Sequence, residues 1–267
     1  MIRTSVDPLL CAPDRERQPC LRPGLVADRP SAAAATRPDW QKLALVPRAP
    51  AHLHPALAAH WTAFALAEHA NVAAFAGLVL QLLAVAAPPD LVLAAQRAAA
   101  DEVEHARAAF ALASAFAARP VGPGPVPLAR PLPTDRDRVL AAVIREVCVG
   151  ETLAALEARE AAARATDPAL AHALARIADD ERRHAELGWR FARWALTGAD
   201  VELRGRAHDG FIAAVVDAAT AASALARAPA TPELRPHGVL DPPLRAALWS
   251  DALTTLVVPT AHALCAA

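Results

Sequence analysis

Asp179-Asp180-Glu181-Arg182-Arg183-His184 repeats the plan of an earlier stretch, Ala100-Asp101-Glu102-Val103-Glu104-His105, since both contain Asp-Glu-x-x-His. On a helix, residues three apart share a face, so each copy aims a carboxylate and an imidazole at one spot. Two further glutamates, Glu68 and Glu151, precede the two copies at similar distances, each inside a long apolar helical pattern. The chain therefore reads Glu, Glu-x-x-His, Glu, Glu-x-x-His.

A helical glutamate is ordinarily a solvated residue with a cation one turn away, and Glu104 with Arg107, Glu160 with Arg164 and Glu186 with Arg190 fit that description. The four glutamates of the pattern do not. At i±3 and i±4, Glu68 meets Phe64, Ala65, Asn71 and Val72, and Glu102 meets Ala98, Ala99, His105 and Ala106. Glu151 meets Val147, Cys148, Ala154 and Ala155, and Glu181 meets Ile177, Ala178, His184 and Ala185. An isolated carboxylate in such a face costs several kcal/mol, so four together demand compensation. Two divalent cations would supply it, and the mixed oxygen and nitrogen donors suit iron or manganese better than structural zinc.

The remaining sequence fixes the frame. Residues 1 to 50 carry eight prolines, at 8, 13, 19, 23, 30, 38, 47 and 50, and predict an extended arm lying against the body. A first helix is predicted from about His54 to Ala87, stopped by Pro88-Pro89, and a second from near Leu91 to about Ala118. Residues 119 to 133 are rich in proline and too stiff for a tight turn, which makes them a crossover. Thr134 or Asp135 would cap a third helix running to about Thr166, and Asp167-Pro168 would open a fourth ending near Gly198. Two more helices follow, one over roughly His208 to Arg227 and one after Pro242-Pro243 with a bend at Pro259. The prediction is thus all-α, with an arm (1–50), a four-helix bundle with one long crossover (51–198) and a helical extension (199–267). The extension would cover the bundle or form a homodimer contact.

Composition narrows the function. With 267 residues and 55% hydrophobic content the chain can bury a large core, and a net charge of −1 leaves no basic excess for general nucleic-acid binding. The charged N-terminus has no apolar run of signal-peptide length, which predicts a cytoplasmic protein. The most apolar run, Val72 to Ala87, contains Gln81 and falls short of the ~20 residues that cross a bilayer, so no membrane partner is predicted. Cys11, Cys20, Cys148 and Cys265 form no Cys-x-x-Cys pair, which excludes a rubredoxin-type iron site and predicts free thiols.

These residues, over about 55 to 197, resemble the ferritin-like di-iron carboxylate superfamily, whose pattern is one Glu from each of two helices and Glu-x-x-His from each of the other two. The resemblance implies two iron ions, or manganese in one or both places, held by Glu68, Glu102, His105, Glu151, Glu181 and His184. Glu102 and His105 would bind one metal, Glu181 and His184 the other, with bridging glutamates left open. Asp101 and Asp180 match aspartates that orient the ligating histidines in the monooxygenase branch; their ordinary reading is ion pairing, since Asp180 has Arg183 at i+3. His69 and Cys148 are the remaining candidates for support around the ligands, although His69 is turned about 100° from Glu68 on the helix and Cys148 also reads as a small core residue. Trp61 and Phe75 lie on the Glu68 stripe and would shape a pocket or fill the core, with core filling the stronger reading.

By resemblance the chain is a di-iron oxidoreductase: an oxidase or monooxygenase that uses O2 on a small molecule, lipid, peptide or modified nucleoside, with electrons from a partner protein or the substrate. The alternatives are a ferroxidase or peroxide-scavenging protein of the ferritin and rubrerythrin type, and a helical interaction module with a structural metal site. The absence of tyrosine argues against a tyrosyl-radical generator.

Overall fold

The computed structural model describes residues 32–41, 48–127 and 132–266, and among these the chain is all-α apart from one two-residue strand pair. Helix α1 spans His54–Ala84 and α2 spans Pro89–Ala117. Pro88 caps α2 and Pro89 opens it, two residues earlier than predicted, because the first turn of a helix needs no N–H from proline. The tight joint between them turns through Ala86 at φ 54°.

Helix α3 (Arg136–Val143) continues through eight residues of π-helix, Ile144–Glu151, into α4 (Thr152–Arg164), and α5 spans Pro168–Leu196. Asp135 caps α3 by accepting from Arg138 N, and Asp167 caps α5 by accepting from Ala169 N and Leu170 N. Both caps sit where the sequence put them. The π segment was not foreseen.

The direction of each helix follows from contacts at the two ends. Near one end, Arg190 of α5 pairs with Asp90 of α2, and Arg136 Nη2 donates to Trp194 O. Near the other, Gly238 packs between Leu170 and Leu174 of α5 and Trp61 of α1. Hence α1/α2 and α3–α4/α5 are antiparallel hairpins, while α2 and α3–α4 run parallel. The chain after α2 must therefore return along the length of the bundle. It does so past β2 (Gly122–Pro123), which pairs antiparallel with β1 (Ala34–Ala35) of the arm, and past Leu132, which lies against Gly77 of α1. Trp40 of the arm packs edge-on against His69, with ring centroids 4.8 Å apart. Residues 1–31 and 42–47 of the arm, with Cys11 and Cys20, lie outside the described set; Cys148 and Cys265 are free thiols.

Two apolar clusters hold the bundle. One gathers Leu57, Trp61, Phe110, Leu170 and Leu174, the other Phe75, Leu140, Ile144, Leu153, Phe191 and Phe211. On α1, α2 and α5 the four-residue rhythm of core side chains is interrupted between these clusters, and Glu68, Glu102 and Glu181 occupy the interruptions.

Helix α6 runs Val201–Ala226 and starts seven residues before the predicted His208, because Asp200 accepts from Leu203 N and caps it there. It covers α3 and the π segment with Phe211 and Ala214. Helix α7 (Pro242–Ala252) is fastened to α4 through Glu157, whose Oε1 accepts from Arg245 Nε at 3.0 Å, Arg245 Nη2 at 2.9 Å and Trp249 Nε1. A second π segment, Leu253–Val257, leads into α8 (Val258–Ala266), which replaces the simple bend predicted at Pro259. A proline ring crowds the carbonyl four residues back, here Thr255, and a wider turn relieves that.

Among the described residues two helices, the run Ala51–Ala84 and α6, are long and apolar enough to cross a membrane by length and composition alone. The first lies packed along α2 with Glu68, Asn71 and Gln81 buried in the bundle.

Candidate metal centre

Glu68, Glu102, His105, Glu151, Glu181 and His184 come together in the gap between the two clusters, and none is more than 2% exposed. They form two groups. Glu68, Glu102, His105 and Glu181 offer four ligand atoms within 4.8 Å of one another, as do Glu102, Glu151, Glu181 and His184. Glu102 and Glu181 belong to both. The sequence assigned one Glu-x-x-His motif to each metal; in space each motif gives its histidine to one group and its glutamate to both.

The imidazoles face inward through Nδ1. His184 Nδ1 lies 3.2 Å from Glu181 Oε2 and 3.4 Å from Glu102 Oε1. His105 Nδ1 lies 3.6 Å from Glu102 Oε2 and 3.7 Å from Glu68 Oε2 and Glu181 Oε1. Their outer nitrogens are held crosswise: His105 Nε2 meets Asp180 Oδ2 at 3.0 Å, and His184 Nε2 meets Asp101 Oδ2 at 3.3 Å. Each motif's aspartate thus fixes the other motif's histidine, the support that keeps a metal-binding ring in one orientation. Arg183 ties the two aspartates together, bonding Asp180 Oδ1 and, at 3.4 Å, Asp101 Oδ2. Orienting histidine and pairing with arginine, posed as alternatives by the sequence, are both realised.

Burial and charge explain the electrostatics of the metal-free site. Burial alone would depress both histidines, but the bonds to Asp101 and Glu181 and the Glu102 carboxylate 3.4 Å away outweigh it and push His184 up to about 12. His105 is likewise raised well above its ordinary value, against its burial, by Asp180, Glu102, Glu68 and Glu181. Glu102 is raised, first by burial and then by the charge of Glu68. Protons on the rings therefore offset carboxylate charge where no cation does. Even so, Glu102 Oε1 and His105 Nδ1, both fully buried, make no hydrogen bond. Buried polar atoms without such bonds are rare, and these two belong to the groups whose ligand atoms converge. The donor set and its geometry fit a pair of cations, one per group.

Several contributing residues carry weaker sequence signals. Asn71 is fully buried one turn after Glu68 and donates through Nδ2 to Glu102 Oε2 at 3.3 Å and to Glu68 Oε2 at 3.5 Å. A carboxamide at i+3 on an apolar face was its only marker. Phe75, read as core, has its ring 5.0 Å from that of His184. Gly188 lets α5 close on the π segment: a Cβ there would lie 2.9 Å from Cys148 N and 3.0 Å from Val147.

Two candidates stand apart. His69 packs against Trp40, and burial together with Arg37 lowers its pKa; it belongs to neither group, as its turn of about 100° from Glu68 on α1 dictates. Cys148 is buried in the core with its thiol pushed up by burial, and its carbonyl accepts from Thr152 Oγ1 at 2.6 Å. The surface pairs Glu104–Arg107 and Glu160–Arg164 form as predicted, whereas Glu186 lies 3.6 Å from Arg182 while Arg190 reaches across to Asp90. Comparison with family models, curated proteins and solved structures finds no match for this chain.

Proposed function

We propose that the chain is a ferritin-like di-iron carboxylate oxidoreductase that uses O2 to oxidise a substrate. The observation that carries this reading is the pair of ligand groups sharing Glu102 and Glu181, each completed by its own glutamate and its own histidine. The parallel course of α2 and α3–α4, with its long return connection, supports the ferritin-like assignment. A structural zinc site would be served by thiolates and imidazoles, whereas these donors are carboxylate-rich, which favours iron or manganese.

When bound, two ferrous ions supply electrons to O2 and so generate an oxidant. The chain's own residues do the rest. Glu102 and Glu181 set the spacing of the two positions, and Glu68 and Glu151 balance charge on either side. Asp101 and Asp180 hold the rings and prevent them from turning their inward nitrogens away. The apolar clusters above and below keep water out, which strengthens every charge interaction inside.

Anaerobic loading with Fe(II), followed by an iron count and then by O2 uptake, tests the assignment. About two irons per chain, O2 consumption that depends on them, and loss of both in Glu102→Ala are the expected results. Less than one iron, with the variant behaving like the parent, would refute the metal reading. Two tightly held irons inert to O2 would leave a metal-stabilised helical protein.

A further inference from the structure

A cleft of about 30 Å³ opens between α1 and the junction of α3 with the π segment. Its apolar base is formed by Phe75, Leu78, Val143 and Val147, and Gln81 and Glu146 bring polar atoms to it. Phe75 is 2% exposed, lines this cleft, and meets the ring of His184 with centroids 5.0 Å apart. One side chain thus touches both the cleft and the ligand group. The opposite wall belongs to the segment that carries Glu151, one helical turn after Val147.

We propose that this cleft is the port through which dioxygen reaches the centre, with Phe75 as the partition that gives way to it. The inner space of about 30 Å³ has room for a diatomic molecule. O2 carries no hydrogen-bonding hydrogen and partitions to the apolar side chains of Phe75, Leu78, Val143 and Val147, whereas hydrogen peroxide is held at the polar atoms of Gln81 and Glu146. The polar Gln81 and Glu146 leave water favourably bound beside them, so water has little to gain from the base of the cleft.

This inference rests on the di-iron reading, and the experiment separates the two. Crystals of the metal-free chain pressurised with xenon report directly on the cleft. In parallel, iron is counted anaerobically and the second-order rate of reaction with O2 is measured for the parent and for Ala142→Phe and Ala74→Leu, which add bulk from the two walls. The expected results are a xenon peak beside Phe75, its loss in both variants, unchanged iron content, and a fall of about tenfold in the O2 rate constant, the equivalent of ~1.4 kcal/mol on the entry barrier. The second variant keeps the test open if one substitution prevents folding.

Absence of xenon from the parent cleft overturns the port. So do iron-replete variants that react with O2 at the parental rate, which would make the cleft a packing void. Variants that react normally with O2 but slowly with peroxide would overturn the choice of ligand. A parent chain that binds no iron overturns the di-iron reading instead, and the anaerobic count identifies that case before any oxygen is added.

Discussion

On the metal reading, an ion entering the His184 position must expel the proton that this ring holds. A metal takes a neutral imidazole, yet in the metal-free chain His184 is raised to about 12 and His105 well above its ordinary value, because Asp101, Asp180 and the shared glutamates surround them. The sign is fixed by the direction of the shift. A ring whose folded pKa is raised stays protonated until the pH climbs through that folded value, so at pH 8 the His184 ring still holds the proton that a metal there must displace. That proton makes the apparent affinity of the His184 position rise about tenfold per pH unit, or ~1.4 kcal/mol, throughout pH 7 to 9. A histidine at its ordinary 6.5 would be almost wholly neutral at pH 8, and the slope would vanish. Calorimetric titration of the metal-free protein with Mn(II), which avoids oxygen chemistry, in two buffers of different protonation enthalpy measures the proton count. Proton release is expected at pH 8 as the His184 position fills, and Asp101→Asn, which removes the carboxylate beside His184 Nε2, should lower it. Proton release near zero at pH 8 in the parent would refute the electrostatic account.

Four further outcomes follow from particular contacts. Because Glu102 and Glu181 belong to both ligand groups while Glu68 and Glu151 belong to one each, elemental analysis should find about one metal per chain in Glu68→Ala and close to none in Glu102→Ala. Asp180→Asn should keep the metal count and weaken affinity roughly 10- to 100-fold in a competitive chelator titration, since it loosens the support of His105 without removing a ligand. Gly188→Ala should lower thermal stability by about 1–3 kcal/mol, because the new Cβ meets backbone of the π segment and no side-chain rotation relieves it. Glu157→Ala should cost about 3 kcal/mol or more by denaturant unfolding, since Arg245, only 5% exposed, would lose its carboxylate.

Helix starts were legible wherever a short polar side chain or a proline does the work locally: Asp135 and Asp167 cap as expected, and Pro88-Pro89 divide the first hairpin. The start of α6 carried the same mark in Asp200, but polar Glu202, Arg204 and Arg206 lie in its first turns, and hydrophobic periodicity begins only with Ala207 and Phe211. Capping was the better guide there than amphipathicity. The π segment Ile144–Glu151 left no such mark. A change from i−4 to i−5 hydrogen bonding alters the register of neighbouring helices without altering residue type, and its one correlate, Gly188 on the facing helix, became meaningful only once α5 was seen lying against Val147 and Cys148.

The candidate ligands were legible for a reason that is thermodynamic at root. A carboxylate whose helical neighbours are Ala, Val and Phe has no local way to offset its charge, so its compensation must come from elsewhere in the fold or from a cation. What that logic could not supply was the partnership between helices. Glu186 and Arg190 had the spacing of a helical ion pair, yet Arg190 reaches Asp90 of α2, and Asp101 and Asp180 each serve the histidine of the opposite motif rather than their own. Local spacing states which contacts a helix permits, and packing chooses among them. The crosswise exchange joins α2 to α5 at the level of the ligands, so loss of either aspartate loosens a ring on the other helix, which makes the pair of motifs one unit rather than two independent half-sites.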